Sequence, residues 1–98
     1  MKTLIFLATF YGGVFHGRLT ASGEKFDKNK FTCASNYYKI GTMLEVTNIS
    51  NGKSVVVKVN DRGGFKGMKL DLSEGAFKRI ANLKQGVLKV KVEKFNEL

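Results

Sequence analysis

Apolar and polar residues alternate with a period of two in several short stretches of the chain, the spacing that lays one face of a strand against a core. In the apolar run over residues 4–10, Leu4, Phe6 and Ala8 alternate with Ile5, Leu7 and Thr9. This predicts a strand buried on both sides whose end delivers Thr9 and Tyr11 near a barrel rim. Residues 42–49 and 55–59 are rich in β-branched side chains and predict two further strands. Asn51-Gly52 between them is a type I′ turn signal for an antiparallel hairpin. Leu70-Asp71-Leu72 is a short extended piece ending at Ser73, a good helix N-cap. Beyond it Ala76, Phe77 and Ile80 share one face of a short helix over residues 74–81, with Asn82 suited to end it in the left-handed conformation. A closing strand over residues 86–92 points Leu88, Val90 and Val92 inward and Lys89 and Lys91 outward. From Gly12 to Asn36 glycines and charges break the pattern, which reads as long loops with short strands. Together these elements predict a mainly β domain with one short helix, closed into a barrel that hides its edges.

Length and composition narrow this picture. At 98 residues, 43% hydrophobic, the chain has room for one core, so residues 1–98 are expected to form a single domain and to act as a monomer. Proline is absent, leaving glycine and asparagine to make the turns. The formal charge of +9, from 17 basic against 8 acidic residues, favours polyanionic or carboxylate-bearing partners, although lysines such as Lys89 and Lys91 also serve to solvate outward strand faces. No arginine cluster, aromatic stacking motif or helix-turn-helix pattern supports nucleic acid. The single cysteine, Cys33, excludes an intrachain disulfide and a multi-thiolate zinc site; no cofactor or metal is implied, and a buried small-residue role fits the thiol. The apolar N-terminal run is too short to span a membrane and lacks a cleavage site, so it reads as a strand rather than a signal, which leaves the export route open.

Two of the eight carboxylates stand out. Asp61 and Asp71 each end or follow a hydrophobic run and flank the glycine-rich loop of residues 62–67, which would set both at one barrel rim facing a groove. Glycosidic bond cleavage needs such a pair, one group to protonate the leaving oxygen and another to act on water, the sugar or the developing charge. The same spacing also suits an aspartate capping its own turn and another at the neck of the Ser73 helix. Tyr11, Phe65 and Tyr37 offer faces for sugar rings, although Tyr37-Tyr38 equally suits a core, and Arg62 and Ser35 are expected beside them as substrate contacts. The single histidine, His16, fits a loop hydrogen-bonding role.

The runs Ala8-Thr-Phe-Tyr-Gly12, Phe15-His-Gly-Arg18, Thr20-Ala-Ser-Gly-Glu24, Val46-Thr-Asn48, Val59-Asn-Asp-Arg-Gly63 and Leu70-Asp-Leu-Ser73 resemble, in order and across nearly the whole chain, the rare lipoprotein A (RlpA-like) domain. The resemblance implies a six-stranded double-psi β-barrel with a glycan groove. In enzymatic members it implies lytic transglycosylase action on peptidoglycan, with the muramic acid 6-hydroxyl closing a 1,6-anhydro ring, at the bacterial cell wall. The family's key aspartate falls on Asp61. Its Thr-Ala-Ala-His reads Thr32-Cys-Ala-Ser35 here, so a serine stands where the resemblance implies a histidine, and serine does not titrate near neutral pH. The first domain of expansins is similar too, with Thr9, Asp61 and Asp71 matching its wall-loosening site. Two functions follow as expectations: a minimal transglycosylase with Asp61 as general acid/base, aided by Asp71 or a water, or a wall-binding and loosening module that cleaves nothing.

Overall fold

The computed structural model describes residues 3–95. Six strands, β1 (Leu4–Tyr11), β2 (Thr32–Ser35), β3 (Met43–Asn48), β4 (Ser54–Asp61), β5 (Lys69–Ser73) and β6 (Leu88–Lys94), close into one barrel in the order β1-β5-β2-β4-β3-β6. β1 pairs parallel with β5 and β2 parallel with β4, while the other four pairings are antiparallel. This mixed, closed sheet with one short helix, α1 (Glu74–Ile80), is the double-psi β-barrel expected from the sequence.

Each strand sends alternate side chains to the barrel interior. Phe6, Ala8, Leu44, Val46, Val57, Val59, Leu70, Leu72, Val90 and Val92 are all essentially inaccessible to solvent. Removing each of the Phe, Leu and Val side chains from water contributes about 1.5–3 kcal/mol, against the entropy of ordering the chain. β1 departs from the double-sided burial expected of it: Ile5 is 52% and Leu7 47% exposed. A barrel strand has one inner face only, and no layer covers β1 from outside among the described residues, so its continuous apolar run overstates its burial.

Helix α1 plugs the barrel with Ala76, Phe77 and Ile80, Phe77 packing on Phe10 at 4.7 Å between ring centroids. Ser73 caps it by accepting from the Ala76 amide. Its other end differs from expectation. Asn82 is extended (φ −79°, ψ 137°) and its side chain caps a following 3₁₀ turn, Leu83–Gln85. The helix-end carbonyl of buried Ile80 instead accepts from the side-chain amides of Asn48 and Asn51, each at 2.9 Å, so the β3–β4 hairpin closes the helix. That hairpin has the predicted strands but a longer loop than two residues: the Asn48 N–H donates to the Lys53 carbonyl and the Gly52 N–H to the Asn48 carbonyl, with Gly52 at φ 76°.

Cys33 is fully buried between β4 and β5, and burial pushes its thiol up to about 12, so it is an inert core residue. None of the helices among the described residues is long and apolar enough to cross a membrane.

Candidate functional site

Strand register places four residues in one line across the outside of the barrel. Thr9 on β1 pairs with Asp71 on β5, Asp71 with Ala34 on β2, and Ala34 with Asp61 on β4. Directly paired residues share a face of the sheet, so Thr9, Asp71 and Asp61 project to the same side with only the Ala34 methyl between the two carboxylates. The register of β2 on β4 shifts between Cys33 and Ala34, so that Asn60 is skipped and Asp61 comes opposite Ala34. The bulge is what aligns Asp61 with Asp71.

Each carboxylate is held differently. Asp71 Oδ1 accepts the Thr9 hydroxyl at 2.9 Å. Asp61 Oδ1 accepts two backbone N–H groups, from Ala21 at 3.0 Å and Arg62 at 2.9 Å, while Oδ2 accepts the Tyr11 phenol at 3.3 Å. The Asp71 carboxyl is raised above the usual carboxylate range, first by partial burial and further by the Asp61 charge, against the opposing pull of the Thr9 hydrogen bond and of Lys69. Tyr11 is raised as well, by burial and then by Asp61, so its phenol keeps its proton and remains a donor. Its ring stacks on buried Phe26 at 4.4 Å and meets Phe15 edge-on at 5.6 Å, which fixes the loop of residues 12–31 over one side of the line. His16 serves that loop as expected, its Nδ1 accepting from the Lys28 amide.

The other side is formed by the loop after Asp61. Asn36 clamps it by donating through Nδ2 to the carbonyls of Gly63 (2.9 Å) and Phe65 (2.6 Å) and accepting the Gly63 N–H at Oδ1. A Cβ at Gly63 would come within 2.0 Å of the Phe65 ring, so only glycine allows that aromatic to fold back. The Lys69 ammonium lies 5.0 Å from the centre of the same ring. Asn36, Ala21 and Ala34 were not singled out from sequence. Their contributions are a side-chain clamp, a main-chain amide and a missing bulk, none of which leaves a periodic signal.

Thr9, Tyr11, Asp61 and Asp71 thus lie together, with Phe65 in the adjoining loop. Arg62 is used structurally as well: its Nη1 donates to the carbonyls of Ser35 and Tyr38. Tyr37, 52% exposed, stands edge-on to Phe6 and Tyr38, whereas Tyr38 itself is buried; the pair divides between surface and core. Ser35 differs most from the groove position expected of it. It is wholly buried, its partner Leu70 is a core residue, and its hydroxyl accepts the N–H groups of Tyr37 and Tyr38, both at 3.1 Å. Ser35→Ala is therefore expected to lower unfolding free energy by about 1–2 kcal/mol, the cost of leaving such donors without an acceptor. Urea denaturation would check this, and an unchanged midpoint would show that the turn holds without the hydroxyl.

Among the described residues no cluster of three or more histidine, cysteine or carboxylate side chains is arranged to hold a metal ion. What the site offers is two unequal carboxyls, one hydroxyl and one phenol.

Comparison with known proteins gives this geometry a context. Residues 6–92 match the family described as lytic transglycolase. The chain is 47% identical over 87 residues to the endolytic peptidoglycan transglycosylase RlpA of Neisseria meningitidis; the match covers 88% of this chain and 36% of that protein, so the chain spans about a third of its relative's length. Among solved structures, the Streptomyces papain inhibitor superposes with a TM-score of 0.78 at 22% identity, covering 94% of this chain and 93% of the inhibitor. A point variant of the Clavibacter michiganensis expansin in complex with cellohexaose superposes with a TM-score of 0.79 at 23% identity, covering 99% of this chain and 52% of the expansin. These two likenesses concern the fold.

Proposed function

The chain belongs to the lytic transglycolase family, and on that premise we propose that it cleaves the glycan strands of bacterial peptidoglycan at the cell wall, leaving 1,6-anhydro ends. The observation that carries the proposal is the line Thr9–Asp71–Ala34–Asp61, two carboxyls on one open face in different environments. Unequal environments are how a carboxyl pair divides acid and base work.

In this reading Asp71 is the acid, because partial burial favours its protonated form and the Thr9 hydroxyl fixes its orientation. Its proton passes to the leaving glycosidic oxygen as the C1–O bond breaks. The 6-hydroxyl of the same muramic acid attacks C1, and its proton passes to Asp61, whose carboxylate also faces the positive charge that develops on the ring. No water is consumed. Tyr11 and the backbone donors of Ala21 and Arg62 hold Asp61 in place, and Phe65, Tyr37 and the Arg62 side chain are the proposed contacts for flanking sugars. This moves the proton-donating role from Asp61, the residue favoured by sequence, to its neighbour.

One observation favours a second reading, binding without cleavage. At the position where the family resemblance implies a histidine, Ser35 is buried and committed to a turn, so that position supplies no titrating group. The expansin that shares this fold is bound to cellohexaose, and the same barrel supports a glycan-binding reading here. Incubating purified peptidoglycan, with and without its stem peptides, and analysing the soluble products by mass spectrometry separates the two. Anhydro-ended fragments are expected. Retained glycan with no fragments would establish the binding module, and neither binding nor fragments would remove glycan from the account.

A further inference from the structure

The outer face of β1, β6 and β3 takes no part in the carboxylate line, yet its composition is unusual for a solvated surface. Leu7 on β1 lies in register between Lys69 on β5 and Lys89 on β6, and Ile5 on β1 lies beside Lys91 on β6, which pairs in turn with Thr47 on β3. Ile49 follows the Asn48–Val90 pair and extends the ladder by donating its N–H to the Lys89 carbonyl at 3.3 Å. Paired residues share a face, so Ile5, Leu7 and Ile49 surround Lys89 and Lys91 on one side of the sheet. The three aliphatic residues are 52%, 47% and 51% exposed, and both lysines are exposed between them. The ion pairs among the described residues, Lys58–Glu24 and Lys78–Glu74, involve neither lysine. The face is bounded by the Glu45–Glu93 pair at one end and by Thr9–Asp71 at the other.

Aliphatic side chains gathered on one exposed face mark a contact surface, and the shape and charge of this one select its partner. The barrel is closed, so β1, β6 and β3 are each hydrogen-bonded on both sides and offer no free edge to which a peptide could add as a strand. The outside of a barrel is also convex, which leaves no groove for a helix. A second copy of the chain is opposed by like charge, since the formal charge is +9 and two lysines stand at the centre of the patch. What fits a convex apolar face with central cations is a deformable surface, anionic outside and apolar within. Lysines suit such a surface because their stems lie along apolar neighbours while the ammonium groups reach out to phosphates.

We infer that the β1–β6–β3 face is a peripheral contact for a bilayer of anionic phospholipid, with Ile5, Leu7 and Ile49 entering the headgroup layer and Lys89 and Lys91 pairing with lipid phosphates. Three aliphatic side chains and two cations make such a contact weak and reversible. It goes beyond the glycan reading and does not depend on it. The carboxylate line begins at Thr9, the next outward residue of β1 after Leu7, and so stands at the edge of the contact, open to a polymer lying above the membrane.

The test is co-sedimentation at physiological ionic strength with vesicles of phosphatidylcholine alone and of phosphatidylcholine and phosphatidylglycerol in equal parts. The protein should bind the mixed vesicles and not the neutral ones. Lys89→Gln combined with Lys91→Gln should weaken that binding about tenfold or more, each lysine near an anionic surface being worth about fivefold. Lys25→Gln combined with Lys30→Gln removes the same charge from a cleft on the opposite, β2–β4 side of the barrel, and should weaken it by less than about threefold because salt screens charges that far from the lipid. Ile5→Thr combined with Leu7→Thr leaves the charge unchanged, places strand-forming residues at exposed positions and should also cost about tenfold. The two lysine pairs alter no packing, so their comparison decides even if the aliphatic variant melts early. Equal losses from the two lysine pairs would reduce the effect to overall charge, and full binding by a folded Ile5 and Leu7 variant would reduce it to charge alone; either overturns the contact, as does failure to bind the mixed vesicles. Self-association of the wild type in sedimentation equilibrium, lost in the aliphatic variant, would give the face to a second copy instead. A protein that binds the mixed vesicles through this face but not peptidoglycan would overturn the glycan reading and leave the contact standing.

Discussion

Asp61→Asn is expected to abolish release of anhydro-ended fragments, a loss on the order of 10²–10⁴-fold, which is what removing a positioned acid or base costs. The substitution is close to isosteric, and its structural consequences can be followed atom by atom. The asparagine oxygen can still accept from the amides of Ala21 and Arg62, the two bonds that hold the loops on either side of the site. The new NH₂ group takes the place of Oδ2 and meets the Tyr11 phenol, which turns from donor to acceptor. Loop order, and with it glycan binding, should therefore survive while the carboxylate that receives the 6-hydroxyl proton is gone. Peptidoglycan pull-down and thermal melting alongside the cleavage assay would separate these effects. A variant that still releases anhydro products at the wild-type rate removes Asp61 from the chemistry; one that melts early or binds poorly assigns it a role in holding the groove.

Much of this site was legible in the sequence because it lies on strands. β-branched content located β3 and β4 and period-two alternation located β6, while the hydrophobic stretches around Thr9, Asp61 and Asp71 pointed to one barrel rim; the structure sets all three on the outer face of the sheet. Their alignment was not legible, because it depends on a one-residue bulge at Asn60 and on the crossed strand order β1-β5-β2-β4, neither of which has a local sequence signal. The same holds for Asn36, whose clamp on residues 63–65 spans 27 and more positions, and for Ser35, where residue type alone does not tell a groove hydroxyl from one turned inward to cap a turn. Misread burial has a common cause as well. Ile5 and Leu7 look like core in a string of apolar residues, yet a closed barrel gives each strand one inside.

Asp71→Asn should also suppress cleavage, and it carries a second signature in the pH dependence of stability. Burial raises the Asp71 carboxyl in the folded chain above the value of about 3.9 that it has when unfolded. Between those two values the folded chain holds more protons than the unfolded one, so stability falls as pH rises through that window, and the charged, half-buried carboxylate remains a burden at every higher pH. Asparagine carries no such charge and can keep the Thr9 hydrogen bond through its oxygen. The variant should therefore melt with the wild type at pH values below the unfolded carboxylate range and progressively above it as pH rises, the gap levelling off once Asp71 is fully ionised. Cleavage by the wild type should decline over the same rise in pH, because the form that donates a proton is being lost, whereas a role for Asp71 as a base would make the rate climb instead. Melting curves of both proteins at a series of pH values, set beside the wild-type rate profile, test the assignment from two directions. Superimposable melting profiles would mean that Asp71 is not raised by its surroundings and would remove the reason for making it the acid; a rate that climbs through the window would exchange the roles of Asp61 and Asp71 and return the proton to the residue that the sequence favoured.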